Sequence, residues 1–202
     1  MTELPGGGRV RPITRWGEPV MHRRLRSVVD FDAELAALVA DMVATMRAAD
    51  GVGLAASQIG VDRAVFVFDC PDAAHESRSG VVCNPRLVVP EGRTRVLDDG
   101  EEGCLSLPGA FVPCARPDWA RVEGLDAGGA PVAYQGDGLL ARCLQHETDH
   151  LSGMVFGDRL ARKWRHRLER EAEQHADDFP ADWPVSPQRE PLDQGPGDGR
   201  RA

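Results

Sequence analysis

The 202-residue chain contains no apolar run approaching the roughly 18–20 residues that a membrane-spanning helix needs. Met1 to Arg15 lack the apolar stretch of a secretory signal, so none is expected. Arg9, Arg11 and Arg15 faintly suggest an organelle transit peptide, but Gly6, Gly7 and Gly8 oppose the amphipathic helix that such a peptide forms. Lysine is almost missing: Lys163 stands alone and arginine supplies the other positive side chains, a bias of base composition rather than chemistry. Positive charge is not in excess either. The net charge of −8 disfavours a non-specific nucleic-acid binder, and no DNA or membrane partner is expected. Cysteines in a paired pattern are lacking as well. Cys70, Cys83, Cys104, Cys114 and Cys143 are odd in number and irregular in spacing, which fits free thiols in a reducing cytosol. At least one of them is then available as a metal ligand or nucleophile. There is no internal repeat.

What is present suffices for one folded domain. Hydrophobic residues make up 42 % of the chain, enough for a sizeable core. Residues 1–10 are glycine-rich and expected to be mobile, residues 11–176 to form the domain, and residues 177–202, rich in proline and glycine, to form a disordered tail. From Asp30 to Asp50, Phe31, Leu35, Leu38, Val39, Met42, Val43 and Met46 recur at helical spacing, with Asp30 or Asp32 as cap and Gly51 as stop. Ala64–Asp69 predicts a buried strand. Val81–Val89 and Arg93–Leu97 predict two more, interrupted by Pro85 and by the Pro90–Gly92 turn. Arg121–Leu125 and Pro131–Tyr134 flank Asp126-Ala-Gly-Gly as a hairpin. Helices are expected at about Gly138–Leu151 and Asp158–Ala176. Strand runs with helices between and after them predict an α+β fold.

Residues 145–153 read Gln-His-Glu-Thr-Asp-His-Leu-Ser-Gly. His146 and His150, four apart on a helix, share one face and can hold one divalent cation. Glu147 lies beside the ion without binding it, placed to take a proton from an activated water. Leu139, Leu140, Cys143, Leu144 and Leu151 make the helix largely apolar, and two buried His with a buried Glu are costly without a partner. A catalytic ion takes three protein ligands and keeps a fourth position open. His166, Glu169, Glu171 and Glu173 are downstream options, but they sit in a charged, solvated helix. Cys104, in Glu-Glu-Gly-Cys-Leu-Ser-Leu-Pro-Gly (101–109), could complete a Cys-His-His site; its plain alternative is a small buried residue in a strand. Cysteine with two histidines suits Zn or Fe(II). Gly-Val-Gly-Leu-Ala-Ala-Ser-Gln-Ile-Gly (51–60) has no preceding strand and no third glycine at dinucleotide spacing, which rejects a phosphate loop. Its glycines allow close backbone approach to a ligand, and the Gln58 amide could face the same cleft.

Taken together and in this order, GVGLAASQIG, EGCLSLPG and QHETDHLSG closely resemble the three motifs of the peptide deformylases, with similar element order over about residues 10–175. The resemblance implies a metalloamidase that hydrolyses the N-formyl group of N-terminal formylmethionine on nascent polypeptides, releasing formate. It implies antiparallel sheets packed around a central metal-binding helix, with an N-terminal and a C-terminal helix. By position it assigns Cys104, His146 and His150 to the metal and Glu147 to proton transfer. Gln58 and the Leu105 N–H are assigned to the formyl oxygen, and Gly53 and Gly103 to the substrate backbone. Val52, Glu102, Leu139 and Cys143 are assigned to the methionine pocket. It implies one divalent ion per chain, Fe(II) natively, with Zn, Ni or Co able to replace it in purified protein. Work on nascent chains implies a cytoplasmic protein, expected here as a monomer. Arg159, Arg162, Lys163, Arg165, Arg167 and Arg170 could touch ribosomal RNA, the alternative being a solvated face neutralised by Glu169, Glu171 and Glu173. The chain departs from the family where an Arg commonly follows Val-Pro: Cys114 follows Val112-Pro113, and Arg116 comes two residues later. Competing expectations are a peptidase built on the same two-His motif, in which a Cys ligand is rare, and a structural metal site or inactive relative. A structural site would need a fourth protein ligand.

Overall fold

The computed structural model describes residues 4–188. Three α-helices are found there: α1 (Ala33–Ala48), α2 (Gly138–Leu151) and α3 (Arg162–Gln174). Helix α1 starts later than expected because Asp32, not Asp30, is its cap; the Asp32 carboxylate accepts from the Glu34 and Leu35 N–H groups, both at 3.0 Å. Its buried stripe is Leu35, Val39, Met42, Val43 and Met46.

The strands are β1 (Gly53–Ala55), β2 (Val65–Pro71), β3 (Ser77–Val88), β4 (Leu97–Asp98), β5 (Glu101–Cys104), β6 (Leu107–Pro113), β7 (Arg116–Pro117), β8 (Trp119–Leu125) and β9 (Pro131–Asp137). An antiparallel sheet runs β1-β2-β3-β8-β9, and two small antiparallel pairs are β4-β7 and β5-β6. The β8–β9 hairpin closes over residues 126–130 with Leu125 opposite Pro131, as expected. The interruption expected at Pro85 is instead a bulge: β3 continues past it, its register on β8 shifting between Cys83 and Arg86. Of the strand expected at Arg93–Leu97 only Leu97 is paired, in β4; Arg93 and Thr94 lie in a 3₁₀ turn, Gly92–Thr94.

The sheet lies between two helices, which explains the unbroken apolar run in β2. Val65 and Val67 join α1 in one core cluster, while Phe66, Phe68 and Cys70 join Leu140, Ala141, Cys143 and Leu144 of α2 in another. A third cluster joins β5 and β6 to α3 through Cys104, Ala110, Val112, Cys114, Phe156 and Leu168. Helix α2 packs its apolar face on the sheet and meets Glu102, Cys104 and Arg116 with its other face, which is why eleven of its fourteen residues are buried. Helix α3 starts later than expected because Leu160 and Ala161 are extended and separate it from a 3₁₀ turn at Phe156–Arg159.

Both ends of the described chain make contacts with the body. Leu4 is buried in the α1 cluster, the Arg9 N–H donates to Asp41 at 2.8 Å, and a Cβ on Gly8 would lie 2.0 Å from the Ala40 carbonyl oxygen. The tail lies against the body at Phe179 and Trp183. The Ile13 N–H donates to the Trp183 carbonyl (2.8 Å), and Trp183 is 7 % exposed. The rest of the expected tail falls outside the described residues. No described helix is long and apolar enough to cross a membrane.

Candidate metal centre and its cleft

Three buried side chains from two elements converge. Cys104 ends β5, while His146 and His150 stand one turn apart on α2. Their ligating atoms all lie within 4.8 Å of one another, with His150 Nε2 at 3.1 Å from His146 Nε2 and 3.4 Å from Cys104 Sγ. A tetrahedral ion with normal bond lengths would need about 3.4 Å between the nitrogens and about 3.6 Å from nitrogen to sulfur. Two of the three separations are thus within a few tenths of an ångström of that requirement. It is the sole group of this kind among the described residues, and it offers three ligands rather than four.

The charge arrangement also fits a cation. Glu102 accepts from Arg116 (2.6 and 2.7 Å) and from Arg142 (2.8 Å), and it lies 2.7 Å from His146 Nδ1. With Nδ1–H donating to that carboxylate, the lone pair of a neutral His146 is on Nε2, which faces the cluster. Burial pushes the Glu102 carboxyl up, but hydrogen bonds from Arg116 and His146 outweigh it and hold the group well below the usual carboxylate range. Burial also opposes a charge on His146, yet Cys104 and Glu102 overcome it and raise its pKa well above normal. Burial, then the charge of His146, holds His150 well below its usual value. The pocket therefore favours one positive charge, and the donor set suits a borderline-soft divalent ion.

Glu147 follows His146 and is 4 % exposed. Burial pushes its carboxyl up to about 7, the nearby Glu102 adding to this and His146 opposing it. Its Oε2 has no hydrogen-bond partner among the described residues. Gly53 of β1 is required by this packing, since a Cβ there would meet Glu147 Oε1 at 2.5 Å and Cys143 Sγ at 2.8 Å. Gln58 lies in the 3₁₀ turn Ala56–Ile59 after β1, 1 % exposed. Its Oε1 accepts from the Ala55 N–H at 2.8 Å, so its NH₂ end faces the centre, 3.6 Å from Cys104 Sγ.

These groups line one cleft of about 810 Å³, together with Leu105, Gly103, Val52, Leu139 and Cys143. Leu139 and Val52 are 42 % and 37 % exposed and form an apolar rim. All the residues expected at the site thus border one space, except that His150 lies behind it. Glu102 touches the cleft, but its carboxylate is fully engaged in holding His146, Arg116 and Arg142. Sequence reasoning did not find Arg116 as an internal residue. It is 1 % exposed, pairs with Glu102 and Asp149, and offers the cleft nothing. Asp149 also takes Arg159, tying α2 to the turn before α3. Asp149 stands inside the His-Glu-Thr-Asp-His segment and was detectable as a carboxylate on a buried helix; Arg116 and Arg142 carry no local signal.

A family model for polypeptide deformylases matches residues 10–166. Peptide deformylase 1 of Streptomyces avermitilis is 56 % identical over 158 residues, covering 78 % of this chain and 73 % of the relative. Peptide deformylase 2 of Streptomyces coelicolor is 54 % identical over 165 residues, covering 81 % and 90 %. Among solved structures, the peptide deformylase of Legionella pneumophila superposes with a TM-score of 0.73 at 37 % identity, covering 83 % of this chain and 95 % of its own. That of Synechococcus elongatus, in complex with actinonin, gives 0.71 at 32 % identity, covering 87 % and 90 %. With its three motifs on one cleft and these similarities along most of its length, the chain belongs to the peptide deformylase family.

Proposed function

We infer that this protein hydrolyses the N-formyl amide at the terminal methionine of newly made polypeptides, releasing formate and a free amine. One observation carries the reading: a buried Cys-His-His cluster with three ligands shares its cleft with an unpartnered, proton-accepting Glu147 and an amide NH₂ fixed in direction. Cys104, His146 and His150 would hold a divalent ion, which when bound supplies Lewis acidity toward a carbonyl oxygen and a water. Glu147, with its carboxyl near neutrality, accepts the proton of the attacking water and returns it to the methionine nitrogen as the C–N bond breaks. The Gln58 NH₂ and the Leu105 N–H donate to the formyl oxygen as charge develops on it. Gly53 and Gly103 admit the substrate backbone, while Val52, Leu139 and Cys143 surround the methionine side chain; Glu102 acts by orienting His146.

Formate release from formyl-Met-Ala-Ser by metal-loaded protein, with Met-Ala-Ser as control, tests the reading. No formate from loaded protein would refute it. Fe(II) is the native ion on this reading; activity that follows zinc and ignores oxygen would overturn that choice. A cytoplasmic monomer that touches the ribosome is the corresponding cellular reading. Against a broad RNA-binding face, Arg165 and Arg167 already pair with Glu169 and Glu171, and Arg159 with Asp149. Salt-sensitive co-sedimentation with ribosomes decides it.

A further inference from the structure

The cleft is larger than a formyl-methionyl group needs. At about 810 Å³ it is in the upper range of pockets that hold drug-sized ligands. Part of its wall comes from a segment beyond all three motifs: Phe179, Trp183, Pro184, Pro187 and Gln188 line the same space as Gln58 and Glu147. Its first part, from Phe179 to Trp183, is held firmly. Arg15 donates to the Phe179 and Pro180 carbonyls at 3.1 and 2.9 Å, and Ile13 donates to the Trp183 carbonyl. Phe179 and Trp183 meet edge to face at 5.1 Å, and both join the α1 core cluster. Phe179 also presses on β6, where a Cβ on Gly109 would be 3.1 Å from its ring. A wall fixed at both its N-terminal arm and its core contact can present a constant surface to a ligand.

We propose that residues 179–188 form a subsite for the peptide residues that follow the methionine, making the C-terminal segment a determinant of which nascent chains are processed. This rests on the deformylase reading. An extended peptide with its formyl end at Glu147 and Gln58 has space along this wall for further residues at roughly 3.3 Å each. Proline and aromatic surface favours apolar side chains there, and Gln188 is the one polar side chain the segment contributes to the cleft.

The experiment compares kcat/KM for formyl-Met-Ala-Lys-Ser and formyl-Met-Ala-Glu-Ser in metal-loaded protein carrying Gln188→Glu or Gln188→Lys. Gln188→Glu is expected to raise the Lys/Glu preference about threefold and Gln188→Lys to lower it by a similar factor, since partly exposed charge pairs are weak. A second variant ends the chain at Ser186, keeping the Trp183 anchor. It should lower the ratio of kcat/KM for a formylated tetrapeptide to that for formyl-Met-Ala, acting mainly through KM. If both charge variants leave the preference unmoved, or if truncation lowers both substrates in parallel, the subsite does not exist. Unmodified protein that deformylates no peptide at all sinks the catalytic reading instead.

Discussion

At the residue scale the site depends on orientation fixed by neighbours. Gln58 can donate toward the centre because its oxygen is already occupied by the Ala55 N–H. Gln58→Ala is expected to lower kcat by about 10²–10³, or about 3–4 kcal/mol, in formate-release assays, while the cation content measured by atomic absorption stays the same. Burial, with a contribution from Asp126, pushes the Cys83 thiol up to about 12. Its unfolded value is near 9.0, so the stability it contributes is complete below pH 9 and is lost as pH rises towards about 12. Urea unfolding at pH 8 and pH 10.5 should show this decline, and Cys83→Ala should flatten it while costing some stability at pH 8. An unchanged slope would disprove the assignment. The ligands, Glu147 and Gln58 were readable because each sits in a short segment whose spacing carries its chemistry. Arg116 was not, because its value lies in being 2.6 Å from a carboxylate fourteen positions earlier.

At the element scale, helices were more legible than strands. Helix α2 has the expected bounds because its apolar residues recur with helical period up to the cap at Ser152. β1 carries no strand signal in the sequence: three residues starting with glycine have no period, and only pairing with Gly53 opposite Phe68 makes them a strand. The network beneath α2 sets a large expected effect. Arg116→Met leaves the Glu102 carboxylate with Arg142 and His146, and Asp149 with Arg159 alone, all but Arg159 deeply buried. Breaking a buried pair from one side costs about 3–5 kcal/mol, so denaturant midpoints should fall strongly. Glu102 would also hold His146 less firmly, and affinity for the cation should drop about 10–100-fold. By contrast Asp32→Ala removes two hydrogen bonds at an exposed cap and should cost about 1 kcal/mol without touching cation affinity.

At the scale of the whole molecule, the centre is a junction between parts that have separate cores. Cys104 belongs to the β5–β6–α3 cluster, whereas α2, which carries His146 and His150, packs its apolar face on the five-stranded sheet. Composition alone could not reveal this, nor that two aromatics, Phe179 and Trp183, would dock a proline-rich tail onto the α1 cluster. A cation held by residues from both sides ties them together in the folded state and has no preformed site in the unfolded chain. Ligand at a hundredfold excess over its Kd then adds about 2.7 kcal/mol, which for a chain of this size is a rise in Tm of about 5–10 °C. Metal-loaded and chelated protein should differ by that amount in calorimetry, and Cys104→Ala should abolish the difference by removing the ligand from the β5 side. If instead the variant keeps the full shift, His146 and His150 hold the ion without help from β5. The sulfur at 3.4 Å from His150 is then only a packing neighbour.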